Sequence, residues 1–282
     1  MITQAIWRAF ATTAVLIASP GLNAQTCTSF DAPGSIRTIG RSINERGEVT
    51  GHYSDAAGNT YGFVLENGNF STFGVPGSKQ TVPAGINSRG QIVGWYFDPA
   101  VGQYRGFLRE NGVFTSFAYP GAILTEAHGI NPRGEIVGAY QLVPGVYRGY
   151  LLYDGGFTAI DYPGSTFSGA ADINPAGEIV GIFGDARGVH GYVLRSGVFT
   201  VIDVPGSSFT QARGINPQGE VTGFYRDATG KTRGFVWSRG AFTTFDYPGA
   251  MATVPFQINA QRQIVGFYVD TAGGTHGFVC KL

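Results

Sequence analysis

Once in every stretch of about 43 residues the chain repeats an aromatic residue, usually an acid soon after it, and then a cation or second aromatic. The aromatics are Tyr53, Tyr96, Tyr140, Phe183, Tyr225 and Tyr268, and the acids are Asp55, Asp98, Asp185, Asp227 and Asp270. The third member is Tyr61, Arg105, Arg148, His190, Arg233 or His276, and these six are the candidate ligand-binding residues. A ring face beside a charged group can stack on a sugar and hydrogen-bond its hydroxyls, so a polar ligand such as an extracellular glycan is the chemistry they suit. A structural reading competes, because a residue needed once per repeat often serves to build the repeat. The acid and cation would then brace a hairpin and satisfy its loop backbone.

Other constellations are weaker. The four histidines fall at three different repeat positions; His190 and His276 are equivalent but two repeats apart, so no metal site is expected. His52 and His128 read as ordinary strand or loop histidines, and Glu48, Gln91, Glu135, Glu178, Glu220 and Gln263 as solvated strand starts just after a turn. There is no G-x-S-x-G elbow, H-E-x-x-H pair, phosphate-cradling loop or C-x-x-C, and no catalytic residue or cofactor is expected. A hydrolase or lyase drawing carboxylates such as Asp161 and Asp203 from separate repeats is the alternative to a non-catalytic binding or interaction module. A structural surface protein is a third.

The elements that must position these groups follow from the repeat. Ile-Asn pairs at Ile43-Asn44, Ile86-Asn87, Ile130-Asn131, Ile173-Asn174, Ile215-Asn216 and Ile258-Asn259 are spaced by 43, 44, 43, 42 and 43 residues. Units this regular mark a repeat architecture. Within each, a short strand ends at Ile-Asn and turns through sequences such as Asn131-Pro132-Arg133-Gly134, where proline presets φ and glycine accepts the left-handed conformation. A second strand follows, then a longer connection, a third strand, an Asn67-Gly68 type turn, and an alternating fourth strand such as Phe242-Thr243-Thr244-Phe245. The expectation is an all-β, six-bladed β-propeller of four-stranded antiparallel blades. An open solenoid would need polar caps, and the terminal copies are as apolar as the central ones. The repeats run near 36–78, 79–122, 123–165, 166–207, 208–250 and 251–282, the last completed by 27–35. Copy six carries Arg262 where a turn glycine is expected, which predicts a remodelled hairpin there.

Residues 28–35 match a fourth strand, whereas 276–282 match only as far as a third, so pairing of the N- and C-terminal strands would close the ring. Aligned on the Gly62–Phe70 hairpin, Cys280 takes the position of Leu65 and Cys27 that of Phe70, which face each other across the turn. A Cys27–Cys280 disulfide follows.

Residues 1–24 read as a secretory signal peptide: Arg8, then an apolar stretch from Ala9 to Ser19, then a small-residue cleavage region ending at Ala24. A single domain over 25–282 would remain, secreted or periplasmic and monomeric. With 19 basic and 19 acidic residues spread without runs, the chain carries no electrostatic footprint for nucleic acid or a membrane surface. No apolar run is long enough for membrane insertion.

The recurring Gly-Ile-Asn-x-x-Gly-Glu-Ile-Val-Gly, followed by His-Gly-Phe or Arg-Gly-Phe, resembles the extracellular repeat of the HAF family of secreted bacterial proteins. The likeness spans essentially the whole chain after residue 24, with His190-Gly191-Tyr192 and His276-Gly277-Phe278 standing for the name-giving triplet. It implies export and a repeat fold, and it implies no catalytic residues.

Overall fold

The asparagine that ends the first strand of each repeat also makes the turn after it. Asn131 Oδ1 accepts the backbone N–H groups of Arg133 (3.0 Å) and Glu135 (3.1 Å), which reverses the chain with Gly134 at φ +84°. Arg262 keeps the same turn in the sixth repeat, contrary to the expected remodelling. It adopts φ +58°, and its N–H still donates to the Asn259 carbonyl at 3.0 Å. A left-handed non-glycine residue costs roughly 1–2 kcal/mol. Asn259 Oδ1, which accepts the N–H groups of Gln261 and Gln263, and an Arg262–Glu220 ion pair at 3.4 Å offset that cost.

The computed structural model describes residues 26–282; the expected signal peptide lies outside them. All regular structure among the described residues is β, in 24 strands numbered here in chain order, and no helix is long and apolar enough to cross a membrane. Repeat one supplies β2 (Arg37–Ile43), β3 (Val49–Ser54), β4 (Thr60–Glu66) and β5 (Asn69–Phe73), an antiparallel meander in that order. Repeats two to five repeat the pattern. Their first strands are β6 (Thr81–Ile86), β10 (Leu124–Ile130), β14 (Phe167–Ile173) and β18 (Thr210–Ile215). One parallel pairing, Leu124 with Tyr104, joins the second and third meanders into a mixed sheet.

The last meander is made from both ends of the chain. β22 (Ala252–Ile258), β23 (Gln263–Val269) and β24 (Thr275–Lys281) come from the carboxyl end, and β1 (Thr26–Phe30) pairs antiparallel with β24. Cys27 lies directly opposite Cys280, and the two form the expected disulfide with Cα atoms 4.0 Å apart. A disulfide points to an oxidising compartment.

Apolar packing links each meander to its neighbours. Ile86, Ile92, Tyr96 and Phe107 of repeat two pack on Val64 and Phe73 of repeat one, and Val236 and Phe245 of repeat five join Ile258, Ile264 and Phe278 of repeat six. Val265 of repeat six packs with Ile43, Val49 and Phe63 of repeat one. A single meander cannot bury its apolar surface alone, so each needs its neighbours.

A side-chain relay follows the same order. Asn44 Nδ2 donates to the Asn87 carbonyl at 3.1 Å, Asn87 to Asn131 at 3.0 Å, Asn131 to Asn174 at 3.2 Å, Asn174 to Asn216 at 3.2 Å, Asn216 to Asn259 at 3.4 Å, and Asn259 back to Asn44 at 3.1 Å. The second proton of each amide goes to the residue four positions on: Glu48 (2.5 Å), Gln91 (2.7 Å), Glu135, Glu178 (2.7 Å), Glu220 (2.9 Å) and Gln263 (2.9 Å). That set, expected as solvated strand starts, instead orients the relay.

Serine at both cysteine positions is expected to lower stability by up to roughly 5 kcal/mol in the chain-entropy model, read as a reduced denaturant midpoint. Asn131→Ala should cost about 2–3 kcal/mol by leaving buried partners unmade. Asn131→Asp should cost more at neutral pH, because it sets a carboxylate against Glu135, and should recover part of the loss near pH ~4, where carboxyls begin to protonate, in the same unfolding assay.

Candidate functional site

The six residues singled out in the sequence open the third strand of each meander, opposite the repeated aromatic: Tyr61 faces Tyr53, Arg105 faces Tyr96, Arg148 faces Tyr140, His190 faces Phe183, Arg233 faces Tyr225 and His276 faces Tyr268. They do not converge. Most are held inside their own meander by carboxylates. Arg233 Nε donates to Asp227 and Nη1 to Asp246, both at 2.6 Å. His190 places Nδ1 2.8 Å from Asp203 and Nε2 3.0 Å from Asp185; His276 places the same atoms 2.8 Å from Asp31 and 3.2 Å from Asp270. Arg148 and Arg105 pair more loosely with Asp161 (3.8 Å) and Asp98 (3.7 Å), and Tyr61 rests on Tyr53 with ring centroids 5.7 Å apart.

The acids also build the loop. Asp227 Oδ1 accepts the N–H groups of Thr229 and Lys231, and Asp270 Oδ1 those of Ala272 and Gly274. The Thr229 hydroxyl and then Arg233 hold the Asp227 carboxyl below the ordinary carboxylate range, and the Gly274 N–H and then His276 do the same for Asp270. Such saturated groups offer little to a ligand and do much for the hairpin.

A different set of side chains does converge. Each first strand carries a β-bulge against its neighbour, placing one extra residue: Arg41, Ala84, His128, Ala171, Arg213 or Phe256. A bulge re-aims its extra side chain, and all six line one central space. That space widens, on the side of the longer connections, into a cavity of about 460 Å³ that also meets Trp95, Glu126, Tyr147 and Phe167. On the opposite side the asparagine relay surrounds a space of only about 60 Å³.

The electrostatics of this cavity are uneven. Arg41 lies over the rings of Phe256 (4.4 Å from Cζ to centroid) and Trp95 (5.2 Å), and Arg213 over Phe224 (5.7 Å) and Phe256 (5.9 Å). Burial first, then repulsion from Arg213, pushes Arg41 down to about 9; burial pushes Arg213 down to about 10. Burial, with Arg41 and Arg37 nearby, also drives His52 well below its ordinary value. His128, expected as an ordinary histidine, is a cavity wall: its Nδ1 lies 2.8 Å from the Ala170 carbonyl and its Nε2 3.3 Å from Glu126. In the narrow central space, burial raises Asp172 to about 7, while the Ile215 N–H (2.9 Å) and Gln257 Nε2 (2.7 Å) donate to its Oδ2.

Sequence reasoning missed this site because it followed positions that stay alike. The signal is the residue three places before each repeat asparagine, which changes from arginine to alanine, histidine, alanine, arginine and phenylalanine around the chain. No group of three or more metal-ligating side chains gathers among the described residues.

No family model matches the chain, and neither does any curated protein. Solved structures do. AofleA from Arthrobotrys oligospora matches with a TM-score of 0.60 at 14% identity, over 93% of this chain and 88% of its own. A mutant form of the Aleuria aurantia lectin, in complex with Fucalpha1-6GlcNAc, matches with a TM-score of 0.54 at 13% identity, over 86% and 91%. The β-propeller domain of the Trilobed protease from Pyrococcus furiosus, described as having an open velcro topology, matches with a TM-score of 0.55 at 10% identity, over 87% and 95%. At these identities the likeness is one of fold, and the fold is a β-propeller.

His276 ties strand β24 to Asp31 just beyond β1. Hydrogen bonding to Asp31, then to Asp270, raises its pKa above 6.5. Its contribution to stability is therefore complete below the unfolded value and fades as pH rises through the folded one. The thermal midpoint of wild type relative to His276→Gln should be highest near pH ~5.5, below the ordinary histidine value, and converge toward the variant's by pH ~9, measured by calorimetry in matched buffers.

Proposed function

We propose that the protein is an exported, monomeric, closed six-bladed propeller that binds extracellular glycan without transforming it. The circular asparagine relay and the β1–β24 pairing support six blades and closure. The disulfide supports export, and the Gly-Ile-Asn repeats support kinship with the HAF-type proteins. The observation that carries the binding reading is the central cavity of about 460 Å³, a size typical of small-ligand sites, in which Trp95, Tyr147 and Phe167 offer ring faces beside charged groups. The lectin likeness agrees with it. The six strand-three residues, Tyr61, Arg105, Arg148, His190, Arg233 and His276, then serve as braces, with ligand contact at the central cavity.

One observation favours a second reading, a hydrolase or lyase: Asp172, in the narrow central space that opens into the cavity, is raised to about 7 by burial. Against it, the Asp172 oxygen already accepts two hydrogen bonds and both His128 nitrogens are engaged, so no nucleophile and base stand free together.

The deciding experiment is a glycan array with purified protein, followed by calorimetry on the hits. One ligand per chain is expected, with at least a tenfold loss of affinity in Trp95→Ala and little change in Arg105→Gln. A blank array would remove the proposal; several equivalent sites per chain, lost on changing Arg105 or Arg148, would move the site to the braces. Turnover of the bound glycan that Asp172→Asn abolishes would favour the enzyme.

A further inference from the structure

Two arginines of the central cavity have only a distant counter-charge among the described residues, the Glu126 carboxylate, which acts on both. Neither Arg41 nor Arg213 forms an ion pair among the described residues. Arg213 reaches only the amide oxygen of Gln211, and its Nε is buried without a hydrogen-bond acceptor. This contrasts with the braces, where Arg233 has two carboxylates at 2.6 Å. The nearby acid, Glu126, faces His128 instead. Unpaired guanidiniums taken out of water are costly, and chains that bury such groups normally supply counter-charges.

Both guanidinium carbons approach the same ring, Phe256, at 4.4 and 5.9 Å, so a single small molecule can reach both. Guanidinium is the side chain best matched to carboxylate and to the oxygens of a sulfate or phosphate ester, because its forked N–H groups bind such oxygens in pairs. Trp95 and Phe167 border the same cavity and supply apolar faces for the rest of a ligand. The brace acids Asp227, Asp246, Asp31 and Asp270 are engaged by Arg233 and His276, and the one acid that lines the cavity, Glu126, is directed at His128.

Resting on the glycan-binding reading above, we infer that the central cavity is specific for an acidic saccharide, whose anionic substituent lies between Arg41 and Arg213 while its ring packs against Trp95. The fold supplies the two arginines from repeats one and five, and the other four repeats place no arginine or lysine at the bulge, repeat three carrying His128 there.

The test uses purified protein with methyl glycosides of glucose and galactose in three forms: neutral, C6-carboxylate and 6-O-sulfated. Calorimetry is expected to give at least tenfold tighter binding of an anionic form than of its neutral counterpart, weakening as sodium chloride rises. Preference for carboxylate or sulfate separates the two sources of charge, and either supports the inference. Arg41→Met and Arg213→Met keep the apolar stem and should each erase the anionic preference, with a thermal midpoint equal to or above that of wild type. Neutral forms binding as tightly as anionic ones, or methionine variants that retain the preference, would overturn the acidic-sugar assignment and leave glycan binding standing. A midpoint that falls in both variants without loss of preference would assign the arginines to the fold instead. If none of the glycosides binds while the array returns a neutral glycan, this inference fails alone; if the array is also blank, both readings fail.

Discussion

The carboxamide of one repeated asparagine is the interaction on which the architecture rests. Its oxygen takes two backbone N–H groups and so makes the turn between the first two strands, while its nitrogen bridges to the next repeat and to a glutamate or glutamine four residues on. Local chain reversal and the contact between neighbours thus depend on the same few atoms. No other side chain fits: aspartate lacks the donor, serine lacks the reach, and glutamine would add a methylene where the asparagines are almost wholly buried. A buried polar group with every partner in place rigidifies and specifies its surroundings. Apolar packing between meanders is non-directional and would tolerate sliding, whereas this relay fixes both spacing and order.

Around that frame the molecule divides its residues by whether they vary. Positions that hold the same kind of residue in successive repeats, such as the buried threonines Thr38, Thr81, Thr125, Thr210 and Thr253, tie down connections: each hydroxyl accepts a backbone N–H six residues back along the chain. The aromatic, acid and cation set belongs with them. Positions where the repeats diverge gather at the bulges, and there Arg41 and Arg213 stand without an ion pair among the described residues. Repetition gives a stiff mount, and departure from repetition gives the mount a single distinctive centre.

Much of the fold was legible in the chain because its causes are local. Asn67-Gly68 and its equivalents specify hairpins through the backbone angles that those residues accept, and the register they impose is enough to set Cys27 opposite Cys280. The site was not legible in the same way. A bulge leaves only a one-residue slip between paired strands, and Arg41 or His128 looks like any strand residue until its partner's register is known. Nor does spacing along the chain say which way a cation points. Arg233 and Arg213 are both arginines within a strand, one clamped by two acids and one lying over aromatic rings, and only the three-dimensional neighbours separate them. Arg262 failed as a sequence signal for the opposite reason: the asparagine oxygen enforces the turn strongly enough that glycine is not required.

The pairing of β1 with β24 has a bearing on biogenesis. β1 is synthesised early and finds its sheet only when β24 emerges from the ribosome, 253 residues separating the two cysteines that join them. Oxidation of Cys27 and Cys280 to their shared disulfide by the oxidant of the compartment therefore reports that translation passed the sixth repeat and that both ends arrived in one place. A product truncated before Cys280 would keep a reduced sulfhydryl, by which a cell's disulfide-handling machinery can recognise it.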